Sequence, residues 1–193
     1  MRLRTMKGSP RLKPGQSTLG GTYMGVCNRR PARRLRHRLA TEAYRGEVAA
    51  SFTACIAGKH ELFTNGDTIA IFLGALRRAS GQHECKVLIW CFMPDHLHVV
   101  LQGRGPSSDL WKAMTLFKQL TGYWLARHIP AVRWQKDFFD HVLRDDDDLD
   151  RRLRYIAENP ARRGLVADWR EYGFTGSDAY DLGTQLSGDQ DPA

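Results

Sequence analysis

Within the stretch MPDHLHVV, residues 93–100, two histidines stand one residue apart in a segment otherwise apolar enough to be a buried strand. Successive strand side chains point to opposite faces, so His96 and His98 share one face while Leu97, Val99 and Leu101 share the other. Such a pair converges on one point. That point could hold a metal ion, because imidazole is the commonest nitrogen ligand, or the two rings could be hydrogen-bonded members of a polar rim. Two donors leave both readings open, and the remaining chemistry has to come from elsewhere in the chain.

The segment DDDDLDRRLRYIAENP, residues 145–160, supplies it. At about 100° per residue, Leu149, Leu153 and Ile156 fall within roughly 60° of one another and form the buried stripe of a helix. Tyr155 and Asn159 are four apart and stack on one neighbouring flank, with Arg152 beside them. The acidic run Asp145–Asp148 sits where it would cap the positive end of this helix, and Pro160 is expected to stop it. Laid against the histidine face, the helix would bring a phenol, an amide oxygen and a guanidinium to the two imidazoles. This is the donor set of phosphodiester chemistry, with a divalent ion on the imidazoles and amide, arginines balancing phosphate charge and a tyrosine oxygen as nucleophile. A structural tyrosine on a helix flank satisfies the same spacing.

The elements that must position these groups follow from patterning. Residues 48–57 read as a strand, and 65–80 as a helix with Asp67 or Thr68 near its start and Ile69, Phe72, Leu73 and Leu76 along one face. Residues 86–92 and 96–102 are strand-like, and the short MPD between them permits an antiparallel turn. A helix follows, with Ser108 as its expected cap and Leu110, Met114, Phe117, Trp124 and Leu125 on its apolar side. Residues 137–144 are strand-like again, ahead of the final helix. The order is therefore β-α-β-β-α-β plus a C-terminal helix, an α+β chain with a ferredoxin-like antiparallel sheet. Two crossover helices would cover the Leu97, Val99 and Leu101 face, leaving the histidine face to solvent or to the last helix.

At this point CFMPDHLHVVL resembles the HUH motif (His, hydrophobic, His) of the single-tyrosine transposases. The later run of Trp134-Gln135, then D-H-x-x-R at 140–144, then Y-I-x-x-N-P-x-x-x-G-L-V at 155–166 is similar to the REP-associated tyrosine transposase branch. The resemblance covers about residues 44–180. It implies that His96, His98 and Asn159 bind Mg²⁺ or Mn²⁺, and that Tyr155 is the catalytic nucleophile. It further implies attack on a single-stranded DNA phosphate, giving a 5′-phosphotyrosine link and a free 3′-hydroxyl. Imidazole ligands suit manganese better than hard magnesium. Arg152, Arg162, Arg163 and Arg144 are candidate DNA contacts; Arg162 and Arg163 read equally as solvated surface charge, and Arg144 as a cap of its own acidic loop. His141 matches the D-H-x-x-R element and reads equally as a hydrogen-bonded structural residue. Tyr123 is the rival nucleophile, but its neighbours Trp124 and Leu125 favour core packing. The segment DWREYGFTGSDAY, residues 168–180, departs from the branch's usual pattern, which loosens any inference about hairpin recognition there.

Charge adds a partner. Eleven of the 29 Lys and Arg, and none of the 21 Asp and Glu, lie in residues 1–40, so the remainder carries 18 basic against 21 acidic groups. Residues 1–41 therefore read as a basic, disordered arm suited to phosphates, with Met24 as an alternative start. Residues 42–180 read as one transposase domain and 181–193 as a disordered tail. The four cysteines form no CxxC pair, which argues against a structural zinc site or a disulfide framework. No apolar run reaches the roughly 20 residues of a membrane span, and no secretory leader is visible, so the expected location is the cytoplasm. The expected partners are single-stranded or hairpin DNA, with a monomer or homodimer as the working form. The alternatives are a catalytically silent hairpin-binding protein on the same scaffold and a histidine-triad nucleotide hydrolase. The second fails because its third histidine position is Val100.

Overall fold

The computed structural model describes residues 39–187. In chain order they form β1 (Ala49–Cys55), α1 (Gly66–Gln82), β2 (Cys85–Met93), β3 (His96–Gly103), α2 (Leu110–His128) and β4 (Phe139–Leu143). They continue with α3 (Asp146–Ala157), α4 (Asn159–Arg162), β5 (Thr175–Gly176) and α5 (Leu182–Ser187). The strands make one antiparallel sheet in the order β4-β1-β3-β2-β5, so the expected α+β ferredoxin-like arrangement is the one observed.

The β2–β3 hairpin organises the sheet. Its register pairs Met93 with His96 and Cys91 with His98, leaving Pro94 and Asp95 as a two-residue turn. The Pro94 carbonyl accepts the amides of Leu62 and Phe63, which ties the preceding loop to that turn. A bulge at Leu88 lets Leu88 and Ile89 both enter the core on the histidine side.

Strand alternation produces two cores. Phe52, Leu97, Val99 and Leu101 pack against Phe72 and Leu76 of α1 and Met114 and Phe117 of α2. Trp134 closes this layer, its indole N–H donating to Thr121 Oγ1 at 2.8 Å. On the other face Ile89, Cys91, Met93 and Val100 meet Leu153, Ile156 and Ala157 of α3 and Leu186 of α5. At about 1.5–3 kcal/mol of gross transfer free energy per large apolar side chain, this smaller layer holds α3 modestly compared with the first core.

Several local expectations change. Asn65 caps α1 by accepting the Thr68 amide at 2.9 Å, ahead of the expected Asp67 or Thr68. Asp109, not Ser108, caps α2 by accepting the Lys112 amide. Ser108 Oγ instead accepts the amides of Arg104 and Gly105 and donates to the Glu84 carbonyl, closing the loop before the helix. The last predicted helix, α3, ends at Ala157, three residues before Pro160. The chain turns at Glu158 and winds on as α4, with the proline in its first turn, where a missing N–H costs no hydrogen bond. Gly164, at φ +69°, follows and ends it. The tail expected to be disordered from residue 181 contains α5, whose Leu186 is buried and whose Leu186 carbonyl accepts from Arg154. Residues 188–193 and the basic arm through residue 38 lie outside the described residues. Thr41–Tyr44, where the arm was expected to end, form a 3-10 turn that delivers Tyr44 fully buried into the first core.

Candidate functional site

On β3 the residues His96, His98, Val100 and Gln102 share the face covered by α3, and both histidines are buried, at 4% and 8% exposure. Their rings meet edge to face, and the two Nε2 atoms are 3.0 Å apart. Each Nδ1 has a side-chain partner. Asp95 Oδ1 lies 2.5 Å from His96 Nδ1, and Thr53 Oγ1, on the neighbouring β1, lies 2.9 Å from His98 Nδ1.

The hydrogen bond with His96 holds the Asp95 carboxyl below its usual range, against the effect of burial and helped by the charge of Arg163. Ionised Asp95 accepts Nδ1–H from His96, which turns His96 Nε2 toward His98. Burial drives the His98 pKa well below 6.5, and the charges of His96, Arg152 and Arg163 push the same way, with Asp95 opposing. His98 is therefore neutral near pH 7. Its hydroxyl partner serves either tautomer. When Thr53 donates to Nδ1, His98 Nε2 carries the hydrogen; when Thr53 accepts, the His98 Nε2 lone pair faces His96.

A donor spacing of 3.0 Å is the edge of an octahedron with metal–ligand bonds of about 2.1 Å, so the pair fits two adjacent positions around a small divalent ion. Among the described residues no group of three His, Cys, Asp or Glu side chains could hold a metal. Asn159, whose amide was expected to complete the ligands, is 7% exposed at the start of α4.

Tyr155 projects from α3 with 36% of its surface exposed, between two guanidinium groups. Arg162 lies 4.8 Å and Arg152 5.8 Å from the ring centroid. Arg152 belongs to both halves of the site, because it stands over the tyrosine and also acts electrostatically on His98. Arg163 reaches His98 and Asp95 in the same way. Arg162 forms an ion pair with Glu158 at 3.4 Å, while exposed Arg163 has no ion-pair partner among the described residues.

Other candidates fall elsewhere. His141 is exposed on β4, and its Nε2 lies 3.3 Å from Asp148 Oδ2, so it fastens β4 to the first turn of α3. Asp145 caps α3 through the Asp148 amide, as the acidic run suggested. Arg144 is exposed in the connection just ahead of α3. Tyr123, expected in the core, is 65% exposed on α2, with Arg127 donating to its hydroxyl. The apolar neighbours misled, because Leu125 takes the buried stripe and Tyr123 faces away from it. The sheet separates α2 from the histidine face. Asp95 and Thr53 carried no signal of their own in the sequence. Asp95 read as a turn residue, and Thr53 becomes a partner of His98 only through the β1–β3 register.

The sequence profile described as "Transposase IS200 like" matches residues 46–159. A Haemophilus influenzae protein named as a REP-associated tyrosine transposase is 28% identical, over 56% of this chain and 69% of the relative. An Escherichia coli REP-associated tyrosine transposase is 24% identical, over 52% of this chain and 59% of its own length. A solved structure of a REP-associated tyrosine transposase bound to a REP hairpin shares the fold, with a TM-score of 0.62 and 19% identity over 72% of this chain and 80% of that one.

Proposed function

From the premise that this chain belongs to the IS200-like transposase family, we propose that it cuts and rejoins single-stranded DNA at hairpins of palindromic repeats through a covalent bond to Tyr155. One observation carries the reading. On a single sheet face, two imidazoles with Nε2 atoms 3.0 Å apart lie under a helix that holds Tyr155 between Arg152 and Arg162.

The donors fit a divalent cation, and His96, His98 and Asn159 would hold Mg²⁺ or Mn²⁺, which when bound supplies positive charge to the scissile phosphate. Tyr155 Oη attacks the phosphorus, the P–O3′ bond breaks, and the departing 3′-oxygen takes up a proton as the phenol loses one. The phosphate is left on Tyr155 as a 5′-phosphotyrosine. One phosphoester replaces another, so a 3′-hydroxyl can later attack the tyrosyl phosphate and restore a DNA strand without an external energy source. Arg152, Arg162 and Arg163 balance the phosphate charge, and Asp95 and Thr53 keep the imidazoles turned toward the reacting group. Arg144 and the basic arm add contacts to the strand outside the reacting phosphate.

The hairpin partner is supported by the fold relative, which was bound to a REP hairpin. A protein acting on its own cell's DNA would work in the cytoplasm, and no helix among the described residues is long and apolar enough to cross a membrane.

The test is incubation of purified protein with labelled single-stranded hairpin DNA from repeats flanking its gene, in Mn²⁺, Mg²⁺ or EDTA, beside a Tyr155→Phe variant. The expected outcome is a denaturant-resistant protein–DNA adduct that requires metal and is absent from the variant. Hairpin binding without an adduct in either metal would identify a recognition protein that has lost turnover. An adduct persisting in Tyr155→Phe would point to another nucleophile.

A further inference from the structure

At the end of the β2–β3 hairpin remote from the histidines, a cavity of about 460 Å³ opens between the last turn of α1, the start of β2 and the segment after β5. Three cations line it: Arg77, Lys86 and Arg104. Arg77 is engaged, its Nε and Nη2 donating to the Asp178 carboxylate at 2.6–3.1 Å. Lys86 and Arg104 are exposed and have no ion-pair partner among the described residues. Against these three cations the wall sets one carboxylate, Asp178, and the weak negative end of α1. A second observation is independent of charge. Ser80 lines the same cavity, is 2% exposed, and its Oγ has no hydrogen-bond partner. Most buried hydroxyls in helices donate to a carbonyl of the preceding turn; this one does not.

We propose that this cavity binds a phosphate group, held by the Lys86 ammonium, the Arg104 guanidinium and the Ser80 hydroxyl. A phosphate offers several acceptor oxygens and a charge that these donors match, and a guanidinium can grip it with two parallel bonds. The volume exceeds one phosphate and lies in the range of small-ligand sites, leaving space beside Tyr180 for part of a nucleoside.

The source of that phosphate is either a DNA backbone or a free anion, and the DNA source rests on the transposase reading above. Lys86 pairs with Gln102, which stands on the histidine face four residues beyond His98. At about 3.3 Å per residue this is roughly 13 Å, or about four nucleotide steps of stacked strand. A strand whose phosphate lies at Tyr155 thus has a backbone long enough to seat a later phosphate here.

A Lys86→Gln/Arg104→Gln double variant of the full chain tests the proposal. Hairpin affinity is measured by fluorescence anisotropy between about 50 and 200 mM salt, inorganic phosphate binding by calorimetry, and adduct formation in parallel. The expected result is a slope of log Kd against log salt that is shallower by about one unit per lost contact, about two in all. That outcome assigns the cavity to the DNA backbone. An unchanged slope with lost phosphate binding assigns it to a free phosphate. Unchanged slope and unchanged phosphate binding together overturn the proposal. Failure of the wild-type protein to bind hairpin or form an adduct would sink the transposase reading instead, and the phosphate arm would still judge the cavity.

Discussion

The carboxylate of Asp95 and the hydroxyl of Thr53 reach the two imidazoles from different directions, one from the hairpin turn and one from the adjacent strand. Together they orient the two rings so that both Nε2 atoms face one point. Such outer partners typically account for about 10–100-fold in metal affinity. Asp95→Asn is therefore expected to weaken Mn²⁺ binding by about that factor while leaving the fold intact, because the amide oxygen still accepts Nδ1–H but loses the charge that holds it there. Titration of free Mn²⁺ by electron paramagnetic resonance measures this directly. Affinity unchanged in the variant would show that the carboxylate does not orient His96. At this scale the sharing of one strand face by the two histidines was legible from spacing, whereas Thr53 was not, since a threonine in a strand is ordinary until register sets it opposite His98.

Helix α3 has an unusual task for so polar an element. Its buried stripe consists of Leu153, Ile156 and Ala157, with Leu149 partly covered, and apart from Tyr155 its other residues are charged. With little apolar area to anchor it, its ends matter: Asp145 caps the first turn, His141 binds Asp148 from β4, and Arg154 reaches the Leu186 carbonyl of α5. Asp145→Ala is expected to cost about 1 kcal/mol of local stability. Faster amide hydrogen exchange confined to α3 and a lower adduct yield at equal DNA occupancy would be the signature. Exchange that stays at the wild-type rate would mean that packing alone holds the helix. The break at Glu158 has a related consequence. Tyr155 and Asn159, four apart and expected on one continuous helical flank, belong to α3 and α4, so the tyrosine is half-exposed while the asparagine is buried.

For the molecule as a whole, the sheet divides labour. One face is a thick aromatic and aliphatic core under α1 and α2, and the other is a thin layer that accommodates buried imidazoles and charged neighbours. Charge is divided along the chain as well, because residues 1–38 carry eleven Lys and Arg and no acid, while the rest has a small acidic excess. A variant lacking residues 1–38 is expected to bind hairpin DNA more weakly and with a shallower salt dependence, yet to form the Tyr155 adduct once bound. Anisotropy titrations at two salt concentrations test the first part and adduct yield at saturation the second. A salt slope equal to that of the full chain would remove the arm from DNA binding.

The order of elements, the two faces of β3, the buried stripe of α3 and the clustering of basic residues at the N-terminus were all legible in the linear chain. Each is a periodic or compositional signal spread over many residues, and burial of apolar area enforces it whatever the details. What only the tertiary structure decided depends on one or two residues meeting a distant partner. The choice of Asp109 over Ser108 as a cap, the two-residue strand β5, the packing of α5, the outward turn of Tyr123 and the cavity around Ser80 are of this kind. A two-residue strand has no period to read. A cap depends on which of several adjacent oxygens reaches an amide, and a cavity is made by side chains about a hundred residues apart, as Arg77 and Asp178 are. Their positions follow from how the layers close, which no local pattern encodes.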